Sequence, residues 1–199
     1  MITGKRPLET YFKKWKFDFV LDARQTIISG ERARMGGLRL GMEYRRVHRF
    51  GIGFYGTETD GVLVESLDEI NPNIGSARLR LNYRSIFYER VLLFNKKWEW
   101  SATAHLGSGT ITGDFKIKGS DASFSFPERR VNPFELSTTG YYNITWWCST
   151  GAGIGYRFLR NAPKEVLPVY NAPVAIVRVR IKFGKLIKSI WDDDIKHTY

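Results

Sequence analysis

The chain has 199 residues, a formal net charge of +11 at pH 7, 15% aromatic residues and one cysteine, Cys148. This length suits one domain with a full core, and a lone cysteine excludes both an internal disulfide and a zinc site built on cysteines. No apolar run approaches the roughly 20 residues of a membrane-spanning helix. The sequence therefore excludes a helical membrane protein and leaves strands as the only way to cross a bilayer.

The first residues, 1–14, are charged, contain Pro7 and have no apolar core of the kind found in signal peptides. We therefore expect an N-terminal extension here, and an exported protein would have to be represented by its mature form. The body of the chain, residues 15–183, is expected to form one β-barrel domain, followed by a C-terminal tail over residues 184–199.

Eight segments of the body alternate apolar and polar residues, as strands do when their two faces meet different surroundings. They cover residues 15–28, 37–46, 50–57, 77–94, 98–106, 136–145, 148–159 and 174–183. In the last one, Val177 and Val179 point one way, and Arg178 and Arg180 point the other. Within the long connection over residues 107–133, weak alternation in residues 110–118 predicts strands that project past the main sheet as a ribbon. Because helical periodicity is confined to the tail, the fold is predicted to be all-β.

Two features indicate which face lies inside. Connections after the second, fourth and sixth segments are short turns and the others are longer, so the long loops are expected at one rim, as in outer-membrane barrels. Glycines on the charged face leave room for large side chains in a narrow lumen; they are Gly41, Gly51, Gly53, Gly151, Gly153 and Gly155. The prediction is a closed antiparallel up-and-down barrel of eight transmembrane strands with its apolar face toward lipid. The alternative is a soluble lipocalin-like carrier of a small apolar ligand, with its apolar face inside.

Two hairpins carry a resemblance to a known family. Residues 37–54 and 141–157 resemble hairpins of the small eight-stranded outer-membrane β-barrel proteins of Gram-negative bacteria. The resemblance covers Trp15 to Phe183 and implies an outer-membrane location, with lipid as the surrounding partner. Members of that family end at an aromatic residue that assists insertion, which Phe183 matches. The residues beyond it then imply a tail in the periplasm, where a protein partner could bind it.

The lumen of this barrel is expected to hold a network of charges. Its predicted members are Arg39, Glu43, Arg78, Arg80, Arg84, Glu99, Arg157, Arg178 and Arg180. The same face carries Lys16, Arg24, Arg45, Lys182, Asp18, Asp22 and Glu135, so eleven basic residues meet five acidic ones and about six positive charges are left over. Pairing of buried carboxylates with guanidinium groups predicts a polar interior that is cross-linked by ion pairs and passes no solute. Because the arginines alternate along strands and do not cluster, nucleic acid is not an expected partner.

The family carries several functions on one scaffold. We expect a non-catalytic structural or binding scaffold and a candidate subunit of a larger envelope complex, contacted through its loops or tail. The enzymatic alternative is a lipid-modifying barrel that uses His105 and Ser108. The lipid A deacylase barrels have a His-x-Ser arrangement, whereas two residues separate the pair here. No histidine cluster indicates a metal, and no cofactor is expected.

The tail contains a short apolar pattern. Leu186, Ile187, Ile190 and Trp191 are spaced to share one side of a helix. We expect this side to bind a protein partner. A helix that lies in the membrane interface and touches only lipid is an equal alternative.

Overall fold

The strands of the described residues all belong to one antiparallel sheet. The computed structural model describes residues 15–28, 31–57, 62–64, 74–117, 123–162 and 170–183. Its strands are β1 (Trp15–Ile28), β2 (Glu31–Tyr44), β3 (His48–Thr57), β4 (Val62–Val64), β5 (Ile74–Phe94), β6 (Trp98–Ile117), β7 (Ser123–Asn143), β8 (Cys148–Arg160) and β9 (Ala172–Ile181). Within these residues, no helix is long and apolar enough to cross a membrane.

The sheet closes into a ring of eight strands. The order is β3-β2-β1-β9-β8-β7-β6-β5, and β5 pairs back onto β3. At the two closing seams, Leu21 of β1 faces Val179 of β9, and Ile52 of β3 faces Ile86 of β5. The short strand β4 lies outside this ring order and pairs with the beginning of β5. The predicted all-β, closed, up-and-down barrel of eight strands is therefore confirmed.

Short turns and longer strands mark two different rims. Residues 45–47, 95–97 and 144–147 form the turns of one end, called the short-turn rim below. At the opposite end, the long-loop rim, β5, β6 and β7 reach 21, 20 and 21 residues, so the predicted ribbon is a projection of three paired strands. The first connection at this rim is shorter than expected, because β1 and β2 stay paired as far as Ile28 and Glu31.

The outward surface is apolar over the part nearer the short-turn rim. Every ring strand exposes large hydrophobic side chains there, among them Phe17, Leu40, Ile52, Ile86, Leu106, Leu136, Ile154 and Val177. Aromatic rings pack against each other at the lower edge of this apolar band. The ring centroids of Trp15 and Tyr44 are 4.7 Å apart, and those of Trp98 and Tyr142 are 5.0 Å apart.

The interior changes character along the barrel. Toward the short-turn rim the inward side chains are charged, whereas toward the long-loop rim they are apolar. This apolar layer consists of Ala33, Met35, Tyr55, Leu79, Leu81, Tyr83, Ile111, Phe115, Val131, Leu159 and Tyr170, all buried. Its members come from six of the eight ring strands and from Tyr170 just before β9, so the layer extends across the interior above the charges.

The inward and outward sides of β5 differ from the sequence-based prediction near the long-loop rim. Arg78, Arg80 and Arg84 are exposed on the outward side, while Leu79 and Leu81 between them are buried in the apolar layer. The prediction that these three arginines line the lumen is wrong. Beyond the apolar band the outer surface becomes polar and the interior becomes apolar. Alternate residues of β5 keep pointing outward along the whole strand, but they are apolar in one half of the strand and polar in the other.

Candidate functional site

Glu89 on β5 is the centre of the charge network nearer the short-turn rim. Its side chain is fully buried, with 0% of its surface exposed. Glu89 Oε1 accepts hydrogen bonds from Arg49 Nη1 at 2.9 Å and from Arg180 Nη2 at 2.5 Å, and Oε2 accepts one from Arg39 Nη2 at 2.9 Å. The Thr103 hydroxyl donates to Oε2 at 3.3 Å. One carboxylate therefore binds guanidinium groups from three different strands.

Arg49 on β3 connects Glu89 to two further carboxylates. Its Nη1 and Nη2 donate to the two oxygens of Glu99 at 2.6 and 2.8 Å, and its Nε and Nη2 donate to Glu43 at 2.9 and 2.6 Å. Arg180 Nη1 also donates to Glu99 at 2.6 Å. Two-pronged contacts between a guanidinium and a carboxylate are stronger and more directional than single hydrogen bonds. This first cluster is therefore held in a defined geometry.

A second cluster lies between the first one and the apolar layer. Arg24 donates to Glu135 at 2.7 Å and to Asp22 at 3.0 Å. Arg157 donates to the same Glu135 oxygen at 3.1 Å, and Arg178 donates to the same Asp22 oxygen at 3.2 Å. Each carboxylate in this cluster is thus shared by two arginines.

The ion pairs join opposite walls of the barrel. Arg180 on β9 and Glu89 on β5 are four strands apart in a ring of eight. Arg24 on β1 reaches Glu135 on β7 across three steps of the same ring. Arg178 Nη1 lies 3.9 Å from Glu89 and so connects the two clusters. The network therefore acts as a set of cross-links through the lumen.

Positive and negative side chains are equal in number in the two clusters. The six arginines are Arg24, Arg39, Arg49, Arg157, Arg178 and Arg180, and the six carboxylates are Asp18, Asp22, Glu43, Glu89, Glu99 and Glu135. The predicted surplus of about six positive charges is therefore wrong; of its two lysines, Lys16 lies 3.8 Å from Glu43 and Lys182 donates to Asn143 at 2.7 Å. Arg45, which the prediction also places in the lumen, is exposed in the turn with a φ of 52°. Balance is the expected outcome, because an unpaired buried charge is strongly destabilising.

Aromatic rings and glycines shape the space around the charges. Guanidinium carbons lie over ring centroids at 3.8 Å for Arg24 on Tyr55, 3.8 Å for Arg39 on Phe87 and 3.7 Å for Arg180 on Tyr141. A Cβ atom added at Gly151 would lie 2.6 Å from the Tyr141 ring, and one added at Gly53 would lie 2.7 Å from the Tyr55 ring. These inward glycines are therefore needed because the neighbouring tyrosines occupy the space that a side chain would fill.

His105 belongs to the interior and is not paired with Ser108. The imidazole is buried; its Nδ1 lies 3.3 Å from the Ser85 hydroxyl and its Nε2 lies 3.4 Å from an Arg24 nitrogen. Ser108 is exposed, on the other face of β6. The two side chains therefore do not form the pair considered for a lipid-modifying enzyme. Among the residues that the structure describes, no group of three His, Cys, Asp or Glu side chains could hold a metal ion.

Arg49 and Glu89 are absent from the sequence-based network. The prediction places Arg49 in a turn, but β3 begins at His48, so Arg49 points inward. Glu89 is missed because the prediction takes the phase of β5 from its apolar residues near the long-loop rim. The pairing of Tyr88 with Ala104, on the outward face of β6, is the signal that corrects this phase. The predicted tail residues lie outside the described residues; they are Leu186, Ile187, Ile190 and Trp191.

Comparison with solved structures defines the class of fold. The N-terminal β-barrel domain of Pseudomonas aeruginosa OprF is similar with a TM-score of 0.55 at 10% identity, over 84% of this chain and 96% of that chain. Neisserial surface protein A (NspA) is similar with a TM-score of 0.54 at 14% identity, over 85% and 97% of the two chains. No protein-family model and no curated protein matches the sequence. The fold is that of the small eight-stranded outer-membrane barrels.

Proposed function

We infer that the chain is an integral outer-membrane β-barrel that passes no solute and acts as a non-catalytic structural or binding scaffold. The observation that carries this proposal is the distribution of side chains between the two faces of the ring. Large apolar side chains point outward, and twelve paired charges point inward. Lipid is the surrounding that makes this arrangement favourable.

The outward apolar band has the dimensions of a bilayer core. From Trp98 to Leu106, the outward residues of β6 span about 20 Å along the barrel axis if the strand is tilted as in outer-membrane barrels. The lipid-facing band of such barrels is roughly 25 Å tall. Soluble monomers rarely expose apolar patches larger than a few hundred Å². The band thus favours the membrane barrel over the lipocalin-like carrier, which needs its apolar face inside.

The filled interior supports a scaffold without a pore. The charged clusters cross the lumen from wall to wall, and the apolar layer lies above them toward the long-loop rim. An ion entering this interior would have to break paired charges and then cross an apolar layer, and both steps are costly. The buried position of His105 beside Arg24 likewise supports a non-catalytic role.

The proposal can be tested on the full chain with three measurements. We expect it to partition into detergent, to migrate differently on a gel before and after boiling, and to give no stepwise conductance in planar bilayers. A water-soluble monomer that needs no detergent would refute the membrane placement. A steady conductance from an inserted, heat-modifiable protein would refute only the closed interior.

We also propose that the tail over residues 184–199 contacts an envelope protein, and this proposal rests on the sequence pattern alone. Deletion after Gly184 should leave the barrel heat-modifiable, since all eight ring strands end before that residue. Recovery of envelope proteins with the barrel should fall. Unchanged recovery would contradict the proposal, and failure of the truncated chain to fold would assign the tail to assembly.

A further inference from the structure

The outer wall changes from apolar to polar just past one register line on four neighbouring strands, and two of these strands carry an arginine there. Ile86, Leu106, Phe134 and Phe158 face one another in register across β5, β6, β7 and β8, and they form the upper edge of the apolar band. Two residues further toward the long-loop rim, β5 carries Arg84 and β8 carries Arg160, both exposed. One more step along β7 brings Arg130, which pairs in register with Thr110. Arginines are thus placed directly above the band.

A groove lies beside these arginines on the same outer wall. It has a volume of about 910 Å³, with Leu21, Leu38 and Phe54 on one side and Asn82, Arg84 and Arg130 on the other. Two glycines form its floor. Gly36 and Gly56 face each other in register on β2 and β3, and a Cβ atom at Gly36 would meet nothing within 4 Å.

The arginines of the groove have no anionic partner among the described residues. In the part of the chain that the structure describes, no ion pair involves Arg84 or Arg130, whereas every arginine of the interior clusters has at least one. Two exposed acids lie on these strands: Asp114, which accepts a hydrogen bond from the Ser125 hydroxyl at 2.6 Å, and Glu128, two residues from Arg130. Arg84, Arg130 and Arg160 outnumber Glu128, so the outer wall presents a surplus of positive charge next to apolar side chains.

We propose that this groove binds one phosphorylated lipid of the leaflet at the long-loop rim. Guanidinium groups match phosphate oxygens with two parallel hydrogen bonds, so Arg84 and Arg130 bind the phosphate and Asn82 adds an amide donor. An acyl chain lies along Leu21, Leu38 and Phe54, where burial of its surface adds affinity that a free phosphate cannot gain. This inference rests on the proposed membrane placement.

Two variants with the same change of charge separate this site from general attraction of anions. Arg84→Gln combined with Arg130→Gln removes two positive charges from the groove. Lys96→Gln combined with Lys97→Gln removes two from the exposed turn at the opposite rim. Binding of lipid A carrying two phosphates, and of its dephosphorylated form, is measured on the full chain in mixed micelles by native mass spectrometry.

We expect the parent and the lysine variant to prefer the phosphorylated lipid by at least roughly tenfold, since one hydrogen bond to a charged group contributes about that factor. The arginine variant should lose this preference. Equal binding of both lipids by the parent, an equal loss in the lysine variant, or displacement by inorganic phosphate at the same concentration would overturn the inference. Heat-modifiable migration of each variant shows that the barrel has folded. A folded barrel without the preference refutes the lipid site alone, whereas a chain that needs no detergent refutes the membrane placement.

Discussion

Replacement of Glu89 by glutamine tests whether the interior network stabilises the barrel. Glu89→Gln keeps the size and shape of the side chain and removes its charge. The fully buried carboxylate accepts hydrogen bonds from Arg39, Arg49 and Arg180 at 2.5 to 2.9 Å. Arg49 and Arg180 retain Glu99, whereas Arg39 has no other ion pair among the described residues. The variant thus leaves one buried guanidinium without a carboxylate.

Breaking a buried ion pair by removing one partner costs about 3–5 kcal/mol. We expect the free energy of unfolding to fall by about 3 kcal/mol, toward the lower end of this range, because glutamine still accepts one hydrogen bond and two of the three arginines keep a carboxylate. Unfolding by urea from phosphatidylcholine vesicles, followed through the fluorescence of the six tryptophans, measures this change.

Glu128→Gln is the matched control, because Glu128 is exposed on β7 and forms no ion pair with a described residue. Surface changes of this kind alter stability by less than about 0.5 kcal/mol. A second variant, Glu89→Gln with Arg39→Gln, also removes the unpaired charge of Arg39 and should recover part of the lost free energy of unfolding. If Glu89→Gln matches Glu128→Gln in stability, the network does not hold the barrel together.

Two further substitutions test the outward band and the inward glycines. Val179→Arg on β9 should lower the free energy of unfolding in bilayers by about 2–4 kcal/mol, as for a charge at the lipid-facing midplane. Val179→Ala is the control for lost volume. Unchanged stability of the arginine variant would contradict the outward orientation of Val179. Gly151→Ala should destabilise the barrel by about 1–3 kcal/mol, because the added Cβ would lie 2.6 Å from the buried Tyr141 ring. Gly36→Ala, which meets nothing within 4 Å, should be tolerated, and equal urea midpoints for the two alanine variants would show that the glycines are not required for packing.

The sequence by itself determined the strands, the turns and the inward charges of the last strand. Alternation with a period of two is a local property, so it places Arg178 and Arg180 on one face of β9 and Val179 on the other without knowledge of any neighbour. Turn residues and connection lengths are also local. They correctly predicted the short turns at one rim and, with the glycines opposite large side chains, a closed eight-stranded barrel.

Only the tertiary structure decided which surroundings each strand face meets and which charges form pairs. Alternation along β5 is regular around Leu79 but breaks around Ile86, where Phe87 and Tyr88 are also apolar, so the pattern cannot show that the surroundings exchange between these two levels. Pairing with β6 is what places Ile86 beside Leu106 in the outward band and turns Glu89 inward. Glu89 then meets Arg49 and Arg180, which are 40 and 91 residues away in the chain. Such partners are set by closure of the ring, because only closure brings opposite walls of the barrel within the reach of an arginine side chain.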